Sequence, residues 1–343
     1  MHIVLDAMGS DDCPEPELEA AEEAVKQFGD EIILVGPEQQ LKPRLEARGV
    51  KGVRFVDATE IISMEDKGMA LALKAKRPNS KTSMAVGIDL VKNGTADAFV
   101  TAGNTGGAMA TAYFRLGILP GVERAALMGT FPVKNGFCVV LDIGANPDCK
   151  PEHLVQFAIM GSVYAHNVRK VASPRVGLLS NGEEGGKGNE LVKNTYHLLK
   201  DSNLNFIGNV EGKEVFGGVA DVVVCDGFTG NILLKSTEAV ARLVAEIISD
   251  EIKRSKDPRV LLGGILVKKT LKSAIKQKLD PDEIGAAPLL GINGLVYIGH
   301  GRSNARALVS AIRTARQGVE ANLLESIRSA IAEQLAITVI PVL

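Results

Sequence analysis

The chain has 343 residues, 45% of them hydrophobic and 23% charged, with a formal net charge of −2. A near-neutral balance excludes general binding to nucleic acid, and 4% aromatic residues with no Trp leave no stacking platform for bases. Four cysteines without a C-x-x-C pair and five scattered histidines predict reduced thiols and no metal site.

In chain order, apolar runs read as strands at residues 2–5, 32–35, 53–56, 98–101, 137–141, 176–179, 206–207, 222–225 and 295–298. Most are rich in Val, Ile and Leu without polar alternation, as in a sheet covered on both faces. Helical patterns fall between them, at 15–28, 82–92, 105–116, 152–165, 190–199, 231–253 and 304–332. This alternation predicts one α/β/α sandwich over residues 1–343 with a mostly parallel sheet. No charged-then-apolar leader opens the chain, and no apolar run approaches the roughly 20 residues that span a bilayer, which predicts a cytoplasmic protein.

Residues 231–279 read as a helical hairpin protruding from that sandwich. Val240, Leu243, Val244, Ile247 and Ile248 make an amphipathic stripe. Residues 252–279 then carry nine Lys/Arg against one acid, Asp257, with a helix break around Pro258 and Gly263-Gly264. The stems suit a subunit interface. For the apolar tip, Leu261, Leu262, Ile265 and Leu266, two readings stand: a subunit contact, or contact with an anionic membrane surface.

Ligands of open α/β sheets bind beyond the carboxyl ends of the strands. Five loops there are rich in Gly, Asn, Asp and Thr: "DAMGSDD" from Asp6, "TAGNTGGAM" from Thr101, "DIGANPDCKPEH" from Asp142, "NGEEGGKGN" from Asn181 and "CDGFTGN" from Cys225. All five are expected at one end of one sheet, where amides at helix N-termini would hold an anion. The candidate positions are Asp6, Gly9, Gly103, Asn104, Thr105, Gly106, Asp142, Asn146, Gly188, Asn189, Asp226, Thr229 and Gly230, with Lys187 as the cation. A purely structural reading stands beside each: Asn104, Asn189 and Asn231 as helix caps, Asp6 and Asp142 as ties between loops. The lysine loop is not a nucleotide P-loop, because Asn181 replaces the first Gly and Gly188 the Ser/Thr that binds Mg²⁺. Glu183 and Glu184, which would repel a triphosphate, are expected to face solvent. No G-x-G-x-x-G follows a strand and no G-x-S-x-G occurs, so neither a dinucleotide cofactor nor an acyl-serine is expected.

Taken together, "DAMGSDD", "TAGNTGGAM", "DIGAN", "KPEHLVQFAIMGSVYA", "KGNE", "ADVVVCDGFTGN" and "GHGRSN" run in order along nearly the whole chain. They resemble the bacterial phosphate acyltransferase family of phospholipid synthesis (the PlsX family). One departure is visible: Ser10 stands where the family's opening motif has a second Gly. The resemblance implies an isocitrate/isopropylmalate dehydrogenase-like fold without their cofactor, and a homodimer with the hairpin near its interface. It implies reversible formation of acyl phosphate from inorganic phosphate and long-chain acyl thioesters of acyl carrier protein. The product would feed a membrane-bound glycerol-3-phosphate acyltransferase, which favours the membrane reading of the hairpin tip and a peripherally membrane-associated enzyme. It also implies that Lys187 and Asn231 are catalytic. Lys187 would hold phosphate, and the Asn231 amide, helped by N–H groups of residues 229–231, would receive the developing oxyanion. Competing expectations are a short-chain transferase using coenzyme A thioesters, and a non-catalytic membrane scaffold for the acyltransferase.

Overall fold

A computed structural model describes residues 1–134, 136–255, 257, 259, 263–264 and 285–339. The strands are β1 (His2–Asp6), β2 (Glu31–Gly36), β3 (Val53–Asp57), β4 (Ala98–Thr101), β5 (Ala126–Val133), β6 (Gly136–Leu141), β7 (Val176–Leu179), β8 (Phe206–Val210), β9 (Val222–Val224), β10 (Ala286–Leu290) and β11 (Val296–Gly299). They form one sheet in the order β3-β2-β1-β4-β11-β10-β5-β6-β9-β7-β8. The pairings are mostly parallel; among the described strands β11–β10, β10–β5 and β5–β6 are antiparallel.

Helices cover both faces. They are α1 (Glu15–Phe28), α2 (Glu38–Glu46), α3 (Gly68–Lys76), α4 (Ser83–Lys92), α5 (Thr105–Leu116), α6 (Pro151–Asn167), α7 (Glu190–Lys200), α8 (Gly212–Gly217) and α9 (Gly227–Arg254). After β11 follow α10 (Ala305–Glu320) and α11 (Leu323–Val339). The sandwich is visible within β1 itself. Ile3 and Leu5 pack with Leu18 of α1 and Leu308 of α10, whereas Val4 packs with Ile88 of α4 and Ala112 of α5. Period-2 alternation sends neighbouring side chains to opposite faces, so a strand covered twice must be apolar throughout.

Several elements depart from the sequence reading. β5 (ALMGTFPV) and β10 (AAPLL) escape it because Gly, Pro and Ala weaken the strand signal. The helix expected over 304–332 is two helices, divided where Asn322 takes a left-handed φ of 48°. The helix expected to start at Asn231 starts at Gly227, one turn earlier. Of the expected hairpin, α9 is the stem that is described; Leu261, Leu262, Ile265 and Leu266 lie outside the described residues.

Candidate active site

Strand direction decides which loops meet. β1, β4 and β11 run parallel. The three antiparallel steps through β10 and β5 then reverse the direction, so β6, β9 and β7 run opposite to β1. The loops after β1 and β4 therefore leave one edge of the sheet, and those after β6, β9 and β7 leave the other. Side-chain contacts agree. "TAGNTGG" opens α5, while Asn146 Nδ2 of "DIGAN" donates to the Ala125 carbonyl (2.7 Å), in the segment after the far end of that helix. A helix of 12 residues spans roughly 18 Å. The expectation of five loops at one end is overturned; each chain carries two clusters.

The first cluster joins the loops after β1 and β4. Asp6 is buried and accepts from the Met8 amide (3.1 Å) and from Thr101 Oγ1 (2.8 Å). Thr101 Oγ1 in turn accepts from the Gly103 amide (2.9 Å). Gly9 lies so close that a Cβ there would sit 2.9 Å from the Gly103 nitrogen. Burial pushes the Asp6 carboxyl above its ordinary value, against the pull of these bonds. Asp6 thus ties two loops, and a buried carboxylate is a poor neighbour for phosphate. Asn104 caps α5 through the Gly107 amide (2.9 Å), and its Nδ2 donates to the carbonyls of Ser63 (2.9 Å) and Asp66 (3.1 Å). Thr105 and Gly106 remain exposed in the first turn of α5, where backbone N–H groups lack helical partners. Ser10 is buried, and its amide donates to Glu17 Oε1 (2.9 Å). Burial raises Glu17 to about 7. Glu17 escaped sequence reading because a Glu in the first turn of a helix usually faces water.

The second cluster joins the loops after β6, β9 and β7. Asp142 is fully buried and accepts from the amides of Leu127 (3.0 Å), Gly144 (3.2 Å), Ala145 (3.1 Å) and Asn146 (2.6 Å), and from Asn146 Nδ2 (2.9 Å). Burial raises its pKa, opposed by these donors. Its lone pairs are committed to these donors, so it shapes the loop. Asn146 likewise spends its Nδ2 on Ala125 and Asp142 and its carbonyl on the Gly227 amide (2.8 Å). Asp226 caps α9, accepting from Thr229 N (2.8 Å) and Thr229 Oγ1 (2.8 Å), while its carbonyl accepts from Gly230 N (2.9 Å). The amides of Thr229 and Gly230, expected to help bind an oxyanion, are already used by the cap.

Two glycines bring these loops together. At Gly227 a Cβ would meet Asn146 and Asp142 Oδ2 at 2.8 Å, and at Gly230 it would overlap the Asp142 carbonyl oxygen. Asn231 lies in the first turns of α9, exposed, with its carboxamide beside Gly144: a Cβ on Gly144 would be 3.7 Å from Asn231 Cγ. Its side chain, unlike Asn104 and Asn189, caps no helix.

β7 is hydrogen-bonded to β9, so the lysine loop is the neighbour of the Asn231 loop. The Lys187 amide donates to the Glu184 carbonyl (2.9 Å), a turn that sets the side chain against Gly182. Gly188 has a left-handed φ of 96° and leads into Asn189, which caps α7 through the Val192 amide (3.0 Å). Lys187 is exposed, and among the described residues it has no ion-pair partner. Glu183 and Glu184 are exposed; Glu183 pairs with Lys213 (2.9 Å), which lowers its pKa.

The cluster therefore offers the exposed ammonium of Lys187 and the exposed carboxamide of Asn231 on adjacent loops, with the Asn231 loop fixed by Asp142 and Asp226. It offers no activated thiol. Burial pushes Cys149 and Cys138 to about 12 and Cys225 well above its ordinary value. Among the described residues no group of three or more His, Cys, Asp or Glu is placed to hold a metal ion. This arrangement suits positioning an anion against an electrophile.

Comparison with known proteins agrees with that chemistry. Residues 1–326 match the family model described as "Fatty acid synthesis protein". A "Phosphate acyltransferase" of Pelotomaculum thermopropionicum is 46% identical over 332 residues, covering 96% of this chain and 95% of that protein. One of Elusimicrobium minutum is 44% identical over 336 residues, covering 97% and 96%. Among solved structures, the phosphotransacetylase EutD of Staphylococcus aureus superposes with a TM-score of 0.58 at 16% identity, covering 94% of each chain. A branched-chain phosphotransacylase of Enterococcus faecalis gives 0.57 at 14%, covering 93% of this chain and all of that one (100%). A 4-hydroxythreonine-4-phosphate dehydrogenase of Klebsiella pneumoniae gives 0.51 at 14%, covering 93% and 98%. At these identities the structural likeness speaks for the fold alone.

Proposed function

This chain belongs to the phosphate acyltransferase family of fatty acid synthesis proteins, and from that premise we propose that it makes acyl phosphate from inorganic phosphate and a long-chain acyl thioester of acyl carrier protein. The observation that carries the reading is the pairing of exposed Lys187 and exposed Asn231 on neighbouring loops. Lys187 holds the phosphate dianion. A phosphate oxygen attacks the thioester carbon directly, which needs the two atoms within about 3–3.5 Å and aligned. The Asn231 Nδ2 donates to the oxyanion of the tetrahedral intermediate. Collapse expels the pantetheine thiolate, a good leaving group that needs little general acid. The raised cysteine thiols support attack without an acyl-enzyme.

The two clusters also support a homodimer. Along α9, Val240, Leu243, Val244, Ile247 and Ile248 are all exposed, an apolar stripe on a 28-residue helix that begins beside Asn231. Burying that stripe against a second copy removes it from water. It also allows the Lys187–Asn231 cluster of one copy to approach the α5 N-terminus of the other. The single-domain reading, the peripheral attachment through the hairpin tip and the handover to a membrane-bound acyltransferase belong to the same proposal. Among the described residues no helix is long and apolar enough to cross a membrane, and a long-chain acyl phosphate needs delivery to lipid. The test is thiol release from a long-chain acyl carrier thioester with and without phosphate. Release that does not depend on phosphate would overturn the proposal, and preference for short coenzyme A thioesters would replace the donor.

A further inference from the structure

Helix α3 is a poor fit to its own fold. It has nine residues, GMALALKAK, and buries only Ala75. Met69 and Leu73 are 76% and 64% exposed. With Lys76 they stand at i, i+4 and i+7, on one face of the helix. Lys76 Nζ lies over the Phe114 ring of α5 (5.9 Å), and Tyr113 meets Phe114 edge-on (5.5 Å); both rings are exposed. The result is an apolar patch on a short helix that local propensity alone would not hold.

The patch is basic. Residues 67–81 hold five Lys/Arg and no acid, in a chain of net charge −2. Lys74 and Arg77 are held by Asp66 and Glu60. Among the described residues, Lys67 and Lys81 have no ion-pair partner. The alternative basic surface, the arginines of α10, is already answered by acids. Arg316 pairs with Asp30 and Glu320 and stacks on Phe28. Arg306 and Arg313 line a groove with Glu19, Glu22 and Glu23.

The patch also rims the first loop cluster. The segment leading into α3 supplies both carbonyls that hold Asn104 Nδ2, and Leu71 of α3 lies 3.8 Å from where a Gly106 Cβ would be. Whatever docks on α3 is next to the exposed amides that open α5.

We propose that the Met69–Leu73–Lys76 face of α3, with Lys67 and Phe114, is the docking surface for the acidic carrier protein that delivers the acyl thioester. This rests on the reading of the donor given above. Lys67 and Lys76 meet carboxylates of the carrier, and flexible Met69 accommodates its apolar contacts. Docking there points the pantetheine arm at the α5 N-terminus, which the homodimer proposed above brings to the Lys187–Asn231 cluster of the second copy.

The experiment is steady-state thiol release by the full-length protein, with a long-chain acyl carrier thioester and inorganic phosphate, comparing wild type, Lys67→Glu/Lys76→Glu and Lys67→Arg/Lys76→Arg. The reversal variant is expected to raise KM for the carrier thioester by about tenfold, with kcat within about twofold. The arginine variant keeps the wild-type KM. An unchanged KM in the reversal variant overturns the proposal. So does a loss confined to binding of anionic vesicles, which would make the face a lipid surface, or conversion to a monomer, which would make it a contact between copies. Failure of wild type to release thiol from the carrier thioester is a different result, and removes the donor reading itself.

Discussion

Replacing Gly230 by Ala tests whether the two glycine contacts set the position of Asn231. Gly230 lies in the first turn of α9, so Ala should gain about 1 kcal/mol in helix propensity. Against that, the new methyl overlaps the Asp142 carbonyl oxygen. That carbonyl cannot swing aside easily. Its residue is pinned by Asp142 N to Cys225 O (2.9 Å), Cys225 N to Leu141 O (2.7 Å) and the donors on its carboxylate. The start of α9 must instead move by on the order of 1 Å, and forced overpacking of this kind costs about 1–3 kcal/mol. The steric term wins, for a net loss of up to about 2 kcal/mol. A displacement of this size at a catalytic group costs about 100-fold in rate. Differential scanning calorimetry and phosphate-dependent thiol release read the two effects. Gly217→Ala, in α8 where nothing lies within 4 Å of the new methyl, is the matched control: it gains helix propensity without the overlap, and should leave turnover unchanged and the thermal midpoint no lower than wild type. Wild-type turnover and thermal midpoint in Gly230→Ala would refute the claim that loop contact positions Asn231.

Other perturbations separate the remaining parts of the account. Lys187→Ala should reduce turnover by at least about 100-fold while leaving the circular dichroism spectrum and thermal midpoint intact, because the side chain is exposed; a normal kcat would move the phosphate site elsewhere. Glu17 binds a proton in the folded chain up to about pH 7, whereas its unperturbed value is 4.5. Through that window the folded state holds more protons than the unfolded, so stability falls as pH rises and levels off above it. The loss is at most roughly 3 kcal/mol. Glu17→Gln should flatten that part of a urea-denaturation pH profile and raise stability at pH 8; an unchanged slope would show that Glu17 is not its source. Rapid-quench reactions should trap no acyl-enzyme, and mass spectrometry showing an acylated chain would contradict direct attack. Leu262→Glu should weaken flotation with anionic liposomes, and equal flotation would remove the membrane role of the hairpin.

Much of the fold was legible where residues are chemically unambiguous. Strands such as "VGLL" at β7 and "VVV" at β9 are buried on both faces, and their composition says so. β5 and β10 carry Gly, Pro and Ala and were invisible, yet they determine the architecture. They insert the antiparallel steps that reverse the sheet. A strand's pattern reports its burial but not its direction, so the glycine-rich loops could be found in sequence without being assigned to an edge. The same limit applies to individual side chains. Asp142 and Asp226 looked like anion-site residues because short polar residues in loops serve ligands and backbone amides equally. Only the hydrogen-bond geometry shows that both are spent internally. Asn231 was visible as a candidate; its alternative reading as a helix cap fails, because the Gly and Thr before it hid the first turn of α9 and Asp226 is the cap.

The most direct test of the central claim is phosphate-dependent thiol release from a palmitoyl carrier-protein thioester by the purified full-length chain. Acyl phosphate and free carrier thiol are expected in equal amounts, both requiring inorganic phosphate and both lost in Asn231→Ala. Thiol release at the same rate without phosphate, or with Asn231→Ala, would contradict it.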